Sequence, residues 1–181
     1  PPEPSGGEVI AQEFAALAPD APLAEWLRFL FESPNAERTK VVTDRINTQQ
    51  AELPGLLRAE EEEMRRRAFD AVAYVLQPAP ELVETVLAEG REIAAAIRRF
   101  NALPSTDADY EATPVELRSR FNHWKRAWWT ISQRLGVDGR PPVQEIHDLA
   151  TVRAKGTGMD EIVVNARAIL DALNREEEKK P

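Results

Sequence analysis

The 181-residue sequence predicts an all-α fold, a multi-helix bundle of about eight helices. Apolar residues recur at steps of three and four through most of the chain, which is the spacing of one face of an α-helix. No segment alternates apolar and polar residues as a half-buried strand does. Prolines and glycines stand between the periodic segments, where they end one helix and begin the next.

Three helices are predicted in the first 50 residues, and the first of them is short. The first spans residues 8–18, where apolar residues recur at helical spacing before a proline. The second predicted helix contains Trp26 and is apolar over much of its circumference, so it requires burial on more than one side. The third begins after Asn35, a favourable cap, and ends near residue 50.

The fourth predicted helix is the longest and runs over residues 54–77. Its acids at 61–63 each precede an arginine at 65–67 by four residues, in the order that stabilises an exposed helical face. A metal site is the alternative for these acids. Consecutive acids point in different directions around a helix, so we interpret them as a solvated face.

The fifth predicted helix covers residues 80–100 and carries Gly90 on its apolar line. Glycine costs about 1 kcal/mol relative to alanine inside a helix, so its position indicates a close crossing with another helix. The following loop, residues 101–113, is rich in turn formers and acids.

The sixth predicted helix, residues 113–135, is the clearest element of the chain. Thr113 can cap it, Pro114 suits its first turn, and Glu116 would complete a capping box. Gly136 follows as a left-handed terminating residue. Its predicted core stripe consists of Leu117, Phe121, Trp124, Trp128, Ile131 and Leu135.

Two further helices complete the prediction. One begins at Pro141 or Pro142 and ends near Lys155, and the other spans residues 159–175. The chain is long enough to bury a core as one domain.

We therefore expect one helical domain over residues 8–175, with a candidate internal boundary in the loop 101–113. Residues 1–7 have the composition of a flexible linker or tail, and residues 176–181 form a frayed charged tail.

The composition narrows the classes of function. A formal net charge of −8 argues against general binding to nucleic acid or to an anionic membrane. The absence of cysteine excludes disulfides, thiolate metal sites and cysteine nucleophiles. No apolar run approaches the roughly 20 residues that cross a bilayer, and we expect a soluble, cytoplasmic protein without a membrane partner.

The sequence offers no constellation for catalysis. It lacks a phosphate-binding glycine loop, a GxSxG elbow and an HExxH motif. Its two histidines, His123 and His147, are assigned surface or structural roles. We predict that the protein is not an enzyme, and that it uses no cofactor and no metal.

The sixth helix also carries a basic face away from its core stripe. Trp129 lies about 120° from the centre of that stripe, among polar and basic residues. Residues 118–140 contain six cations and a single acid, Asp138, although the whole chain is acidic. The predicted partner-binding residues are Arg118, Asn122, Lys125, Arg126, Trp129 and Gln133.

We predict a non-catalytic protein–protein interaction or regulatory module of a larger protein or assembly, which docks an acidic partner segment on this face. Tryptophan and arginine are favoured at the centres of interfaces. The chain's own acidic loop around Asp107, Asp109 and Glu111 is one candidate for that segment, and a homo-oligomer is compatible with the sequence.

Three alternatives stay open. The basic residues, with Arg120, could hold single-stranded nucleic acid by stacking and charge, although the overall acidity counts against it. The bundle could enclose a small-ligand or enzyme pocket, although few polar residues face inward. Trp129 could also simply pack against a second neighbouring helix, as large aromatic residues commonly do.

Overall fold

The computed structural model describes residues 5–32 and 35–178. Within those residues the fold is all-α, with nine α-helices, two short 3₁₀ turns and no strand, which confirms the predicted fold class. The helices are α1 Gly6–Ala16, α2 Leu23–Leu27, α3 Ala36–Thr48, α4 Leu53–Leu56, α5 Glu62–Val72, α6 Pro80–Ala102, α7 Ala112–Leu135, α8 Arg140–Thr151 and α9 Met159–Glu177. None of these helices combines the length and apolar character that crossing a membrane requires.

The chain forms two compact units, Pro1–Leu82 and Val83–Pro181, so that the division falls in the first turn of α6. The predicted single domain over residues 8–175 stays a prediction, and the loop 101–113 lies within the second unit.

The two predicted tails are only partly described. Ser5 and Glu8 form a reciprocal capping box at the start of α1, so this helix begins inside the predicted linker 1–7. At the other end, α9 continues to Glu177. Residues 1–4 of the linker and 179–181 of the charged tail lie outside the described residues.

The first unit packs α2, α3 and α5 around an aromatic centre. Trp26 is buried, and its indole Nε1 donates a hydrogen bond to the carbonyl of Ala21 at 3.1 Å. Phe14 of α1 meets the rings of Trp26 and Phe29 edge-on, at centroid distances of 5.8 and 5.2 Å. Helix α1 itself buries no residue fully, so it contributes to this unit mainly through Phe14.

The predicted helix over residues 54–77 is wrong, because the chain forms α4 and α5 with a break between them. Leu57 and Ala68, on either side of the break, are both buried in the same unit. The apolar line therefore continues while the backbone turns, and periodicity alone does not reveal the turn. Arg65 donates to the carbonyls of Ala59 and Glu60, both at 2.6 Å, which satisfies backbone oxygens at the break.

The predicted N-terminal cap is confirmed for α3 but not for α7. Asn35 caps α3 as expected, accepting a hydrogen bond from the Arg38 amide at 2.8 Å. Helix α7 instead begins one residue before Thr113, and its N-cap Glu111 makes no side-chain capping bond, so the predicted capping box is wrong. Gly136 ends α7 with φ +65°, as predicted.

The second unit contains α6 from Val83 onwards together with α7, α8 and α9, and the directions of these helices alternate. Trp124 of α7 donates to the carbonyl of Val86, and Arg120, one turn earlier in α7, binds Glu89 later in α6, so α6 and α7 are antiparallel. Arg140 at the start of α8 contacts Asn174 and Glu177 at the end of α9, so these two helices are also antiparallel. The arrangement is an up-down-up-down four-helix bundle.

The predicted core stripe of α7 faces the interior of this bundle. Five of its six residues are buried: Leu117, Phe121, Trp124, Trp128 and Ile131. Leu135 is 44% exposed, because it occupies the last turn of the helix. The close crossing predicted at Gly90 is confirmed, since a Cβ there would lie 2.6 Å from Cζ2 of Trp124.

Candidate functional site

The predicted basic face of α7 lies beside α9. Arg118 pairs with Glu161 of α9 at 2.6 Å, and Lys125 donates to Oδ1 of Asn165 at 3.0 Å. Both pairs advance along the two helices in the same direction, so α7 and α9 run parallel on this side. The face is therefore one wall of a seam between two helices, which a reading of α7 alone does not reveal.

Arg118 is the residue of the predicted site that α9 neutralises. The Arg118 side chain is 33% exposed, and the Glu161 side chain is 54% exposed. An ion pair this open contributes at most about 1 kcal/mol. Its main effect here is to cancel one of the charges that the sequence assigns to the site.

Lys125 is held differently, by a neutral partner. Its ammonium is partly buried, donates to Asn165 and lies 6.0 Å from the centroid of the Phe121 ring. Burial lowers the pKa of the Lys125 ammonium, and the positive charge of Arg126 lowers it further. No carboxylate within the described residues forms an ion pair with it. Lys125 is thus a cation held in the fold without a counter-charge.

The remaining predicted residues lie on α7 together with Lys125. Trp129 is partly exposed, and Arg126 and Gln133 are exposed. The Arg126 guanidinium has no ion pair with any residue of the ranges 5–32 and 35–178. The Oδ1 atom of Asn122 is buried and accepts no hydrogen bond.

Helix α9 adds an apolar residue to this surface. Val164, next to Asn165, is 68% exposed, and Ala168 one turn later is also exposed. Sequence reasoning missed Val164. The available signal was that it falls outside the apolar line of its own helix. We call the resulting surface the α7–α9 seam, defined by Asn122, Lys125, Arg126, Trp129, Gln133, Val164 and Asn165.

Two further cations of the basic segment are already paired. Arg120 makes two hydrogen bonds to the Glu89 carboxylate, at 2.9 and 3.1 Å. Arg140 binds Asp138 at 2.8 and 3.0 Å and Glu177 at 3.1 Å. The cations of this segment that form no ion pair within the described residues are therefore Lys125, Arg126 and Arg134, and the first two lie next to each other. The nucleic-acid alternative used Arg118, Arg120, Lys125, Arg126 and Trp129, and carboxylates bind the first two of these five.

A cavity of about 300 Å³ lies elsewhere in the second unit, between the end of α6, the loop that follows it and the start of α7. Its walls carry two guanidinium groups and two carboxylates, and one of those groups, Arg120, is bound by Glu89. The lining residues are Ala96, Arg99, Phe100, Leu103, Asp109, Thr113, Glu116, Leu117 and Arg120. It is a polar recess at an end of the helices rather than the interior pocket that the ligand-binding alternative requires.

His147 is held by local contacts within α8. It is buried, its ring Nδ1 lies 2.9 Å from Oδ1 of Asp148, and Thr151 donates to its carbonyl. The hydrogen bond from His147 lowers the pKa of the Asp148 carboxyl, and a second one from Gln144 lowers it further. In the part of the chain that the structure describes, no three histidine, aspartate or glutamate side chains are grouped so that they could hold a metal ion.

Comparisons with models of known protein families, with curated proteins and with solved structures find no match to this chain. What the protein does therefore has to be inferred from the contacts and charges of its own residues.

Proposed function

We propose that the second unit is a non-catalytic protein–protein interaction module that docks an acidic partner segment in the α7–α9 seam. It would serve as an adaptor or regulatory element of a larger protein or assembly in the cytoplasm. One observation supports this most: Lys125 is partly buried beside a second cation, and among the described residues its ammonium has a side-chain amide and an aromatic ring for neighbours but no carboxylate.

The electrostatics of Lys125 favour an anionic partner. Taking an ammonium out of water disfavours its charged form, and a neighbouring cation adds to that cost. A carboxylate placed near Lys125 and Arg126 would offset both effects, and partial burial would make the attraction stronger than between fully exposed charges. An acidic ligand should therefore stabilise the charge of Lys125 more than it would stabilise the charge of a fully exposed lysine.

The apolar residues of the seam favour a peptide over a small anion. Trp129, one helical turn beyond Lys125, is partly exposed, and Val164, next to Asn165 in the chain, is exposed. Interfaces commonly combine such an apolar centre with a polar rim, and tryptophan and arginine are the residues most often found at their energetic centres. An acidic segment that also carries an apolar side chain would contact both parts of the surface.

Titration calorimetry with short synthetic peptides tests the proposal. Glu-rich peptides with one leucine should bind the full chain, and their Gln-rich counterparts should not. Lys125→Glu and Trp129→Ala should each weaken binding by about tenfold or more, since each removes a central contact. The matched controls are Lys155→Glu and Val152→Ala, at exposed positions outside the seam.

Circular dichroism and thermal melting identify variants that keep the fold. Unchanged affinity in folded Lys125→Glu and Trp129→Ala proteins would disprove the proposal, as would the absence of binding by every acidic peptide. If a single-stranded oligonucleotide binds instead, and the same variants abolish that binding, the nucleic-acid alternative replaces the proposed function.

A further inference from the structure

We infer that the acidic segment that docks in the α7–α9 seam belongs to a second copy of this chain. The segment is the acidic loop, residues 104–111, which carries Asp107, Asp109 and Glu111. Copies would associate head to tail, with the acidic loop of one against the seam of the next. This inference rests on the proposed function of the seam.

The acidic loop has the charge that the seam lacks. Residues 100–117 contain four acids and no lysine or arginine. Residues 104–109 and Glu111 are exposed, and none of the three loop carboxylates forms an ion pair within the described ranges of the chain. The acids of α5 differ, because Glu63 is already bound by Arg66 and Arg67.

The loop is also fixed at its base. The ring of Tyr110 stacks on Phe100 at a centroid distance of 5.2 Å, and the Arg153 guanidinium lies 5.6 Å from the Tyr110 ring. Arg153 also donates to the carbonyl of Leu103, and the Asp107 carboxylate accepts from the Asp109 amide at 2.9 Å. A segment ordered before binding loses less conformational entropy on docking, so such a loop is suited to being a ligand.

The loop is fixed at the start of α7, at the end of that helix away from Trp129. It immediately precedes α7, whereas Trp129 lies 17 residues beyond Ala112, which corresponds to a rise of about 25 Å along the helix. The Thr113 amide donates to the Asp109 carbonyl at 3.0 Å, so the end of the loop is tied to the start of α7. This position favours the loop of a second copy over the chain's own loop as the segment that fills the site.

Loop and seam are different surfaces of the same unit, which determines the kind of assembly. A contact between unlike surfaces is heterologous, so each added copy leaves one loop and one seam free. Wild-type chains should therefore form a series of sizes that depends on concentration. Because the contact joins carboxylates to cations, raising the salt concentration should weaken it.

Sedimentation velocity on full chains tests this with two complementary variants. The seam variant is Lys125→Gln with Arg126→Gln, and the loop variant is Asp107→Asn with Asp109→Asn, so that neither changed surface gains a charge that the other could bind. Each alone should lose self-association by at least about tenfold in affinity relative to wild type. An equimolar mixture should form a one-to-one dimer and nothing larger, because only the loop of the seam variant and the seam of the loop variant are intact.

Two results would overturn the inference: a wild-type chain that stays monomeric at every concentration in low salt, or single variants that associate as wild type does. Glu-rich peptides, added to the loop variant, separate this inference from the proposed function. If they bind its seam while wild type stays monomeric, only the second-copy inference fails. If they do not bind, the proposed function fails as well.

Discussion

At Gly90 there is room for a hydrogen atom and nothing larger. A Cβ at this position would lie 2.6 Å from Cζ2 and 2.8 Å from Cε2 of Trp124. The indole cannot move aside easily, because it is fully buried and its Nε1 donates to the Val86 carbonyl at 2.8 Å. Close packing of α6 on α7 therefore depends on this single residue.

We predict that Gly90→Ala destabilises the protein by about 2 kcal/mol or more, as overpacking of a dense core does. This loss exceeds the gain of about 1 kcal/mol that alanine brings to a helix. Urea denaturation measures it. The control is Gly55→Ala, where the added Cβ meets no atom within 4 Å, and which should be neutral or slightly stabilising. Similar effects of the two substitutions would contradict the packing argument.

Lys125 shows a second residue-scale effect, in which a charge is kept despite its cost to the fold. We predict that Lys125→Met leaves the melting temperature unchanged or raises it, because the partly buried ammonium loses hydration without gaining a counter-ion. The same variant should bind acidic peptides about tenfold less tightly. A clear fall in melting temperature would indicate that Lys125 serves the fold rather than a partner. Arg91→Met is the control, at an exposed cation paired with Glu84.

The pKa of Lys125 should respond to its neighbour in a defined direction. Burial is the larger cause of its lowering and Arg126 the smaller. Arg126→Gln should therefore raise the pKa of Lys125 only part of the way towards its usual range, while an acidic peptide in the seam should raise it further. Nitrogen-detected NMR titration of the lysine side chains measures both shifts. A pKa that is unmoved by a bound acidic peptide would place that peptide elsewhere.

Among the elements, α3 holds the segment that follows α5 through two side-chain amides. Asn47 donates to the Tyr74 carbonyl and accepts from the Leu76 amide, both at 2.9 Å. Gln50 donates to the Gln77 carbonyl at 3.1 Å and accepts from the Ala79 amide at 3.0 Å. Two amides thus supply an irregular segment with the backbone partners that a helix would otherwise provide.

We predict that Asn47→Ala destabilises the first unit by about 1–3 kcal/mol, since it removes both bonds and leaves their backbone partners unsatisfied. Hydrogen exchange at the Leu76 amide should accelerate strongly. The control is Thr48→Ala, on the same helix, whose hydroxyl bonds only to carbonyls of its own helix. Unchanged hydrogen exchange at the Leu76 amide would show that the Asn47 side chain does not order the segment that follows α5.

Element prediction succeeded where a local rule was sufficient. The Asn35 cap, the Gly136 terminator and the inner line of α7 follow from side-chain chemistry and from the rotation of about 100° per residue. The break between α4 and α5 does not, because Leu57 and Ala68 keep the apolar line across it. Its carbonyls are satisfied by Arg65, which the sequence pattern paired with a glutamate instead.

At the scale of the whole molecule, the net charge opposes the function proposed for the seam. A chain of formal charge −8 repels an acidic ligand at long range, while Lys125 and Arg126 attract it at short range. The long-range part should vanish near the isoelectric point, about pH 5.0. Ligand carboxylates, with pKa values of about 4, are still mostly ionised slightly above that pH.

We predict that, at low salt, an acidic peptide binds the full chain more tightly at about pH 5.5 than at about pH 8. At about 0.5 M salt the difference should disappear, because the screening length falls to a few ångströms. Calorimetry at the two pH values measures the effect, and the seam variant serves as the control. Weaker binding at the lower pH would mean that ligand protonation outweighs the net charge.

The sequence by itself determined the all-α class, most helix ends, the inward stripe of α7 and the concentration of cations on its other side. These follow from the geometry of a single helix and from turn chemistry, which act over a few residues. It also indicated Gly90 as a crossing point, because a glycine on an apolar line has few other reasons to be there.

Only the tertiary structure decided which of those cations keep their charge for a partner. Arg118 meets Glu161, 43 residues away, and Lys125 meets Asn165, 40 residues away. Which residues of α9 lie beside α7 depends on how the two helices pack, and no local pattern contains that information. Because α9 places the carboxylate of Glu161 beside Arg118, that arginine is neutralised. Because it places the amide of Asn165 beside Lys125, that lysine keeps its charge without a counter-charge.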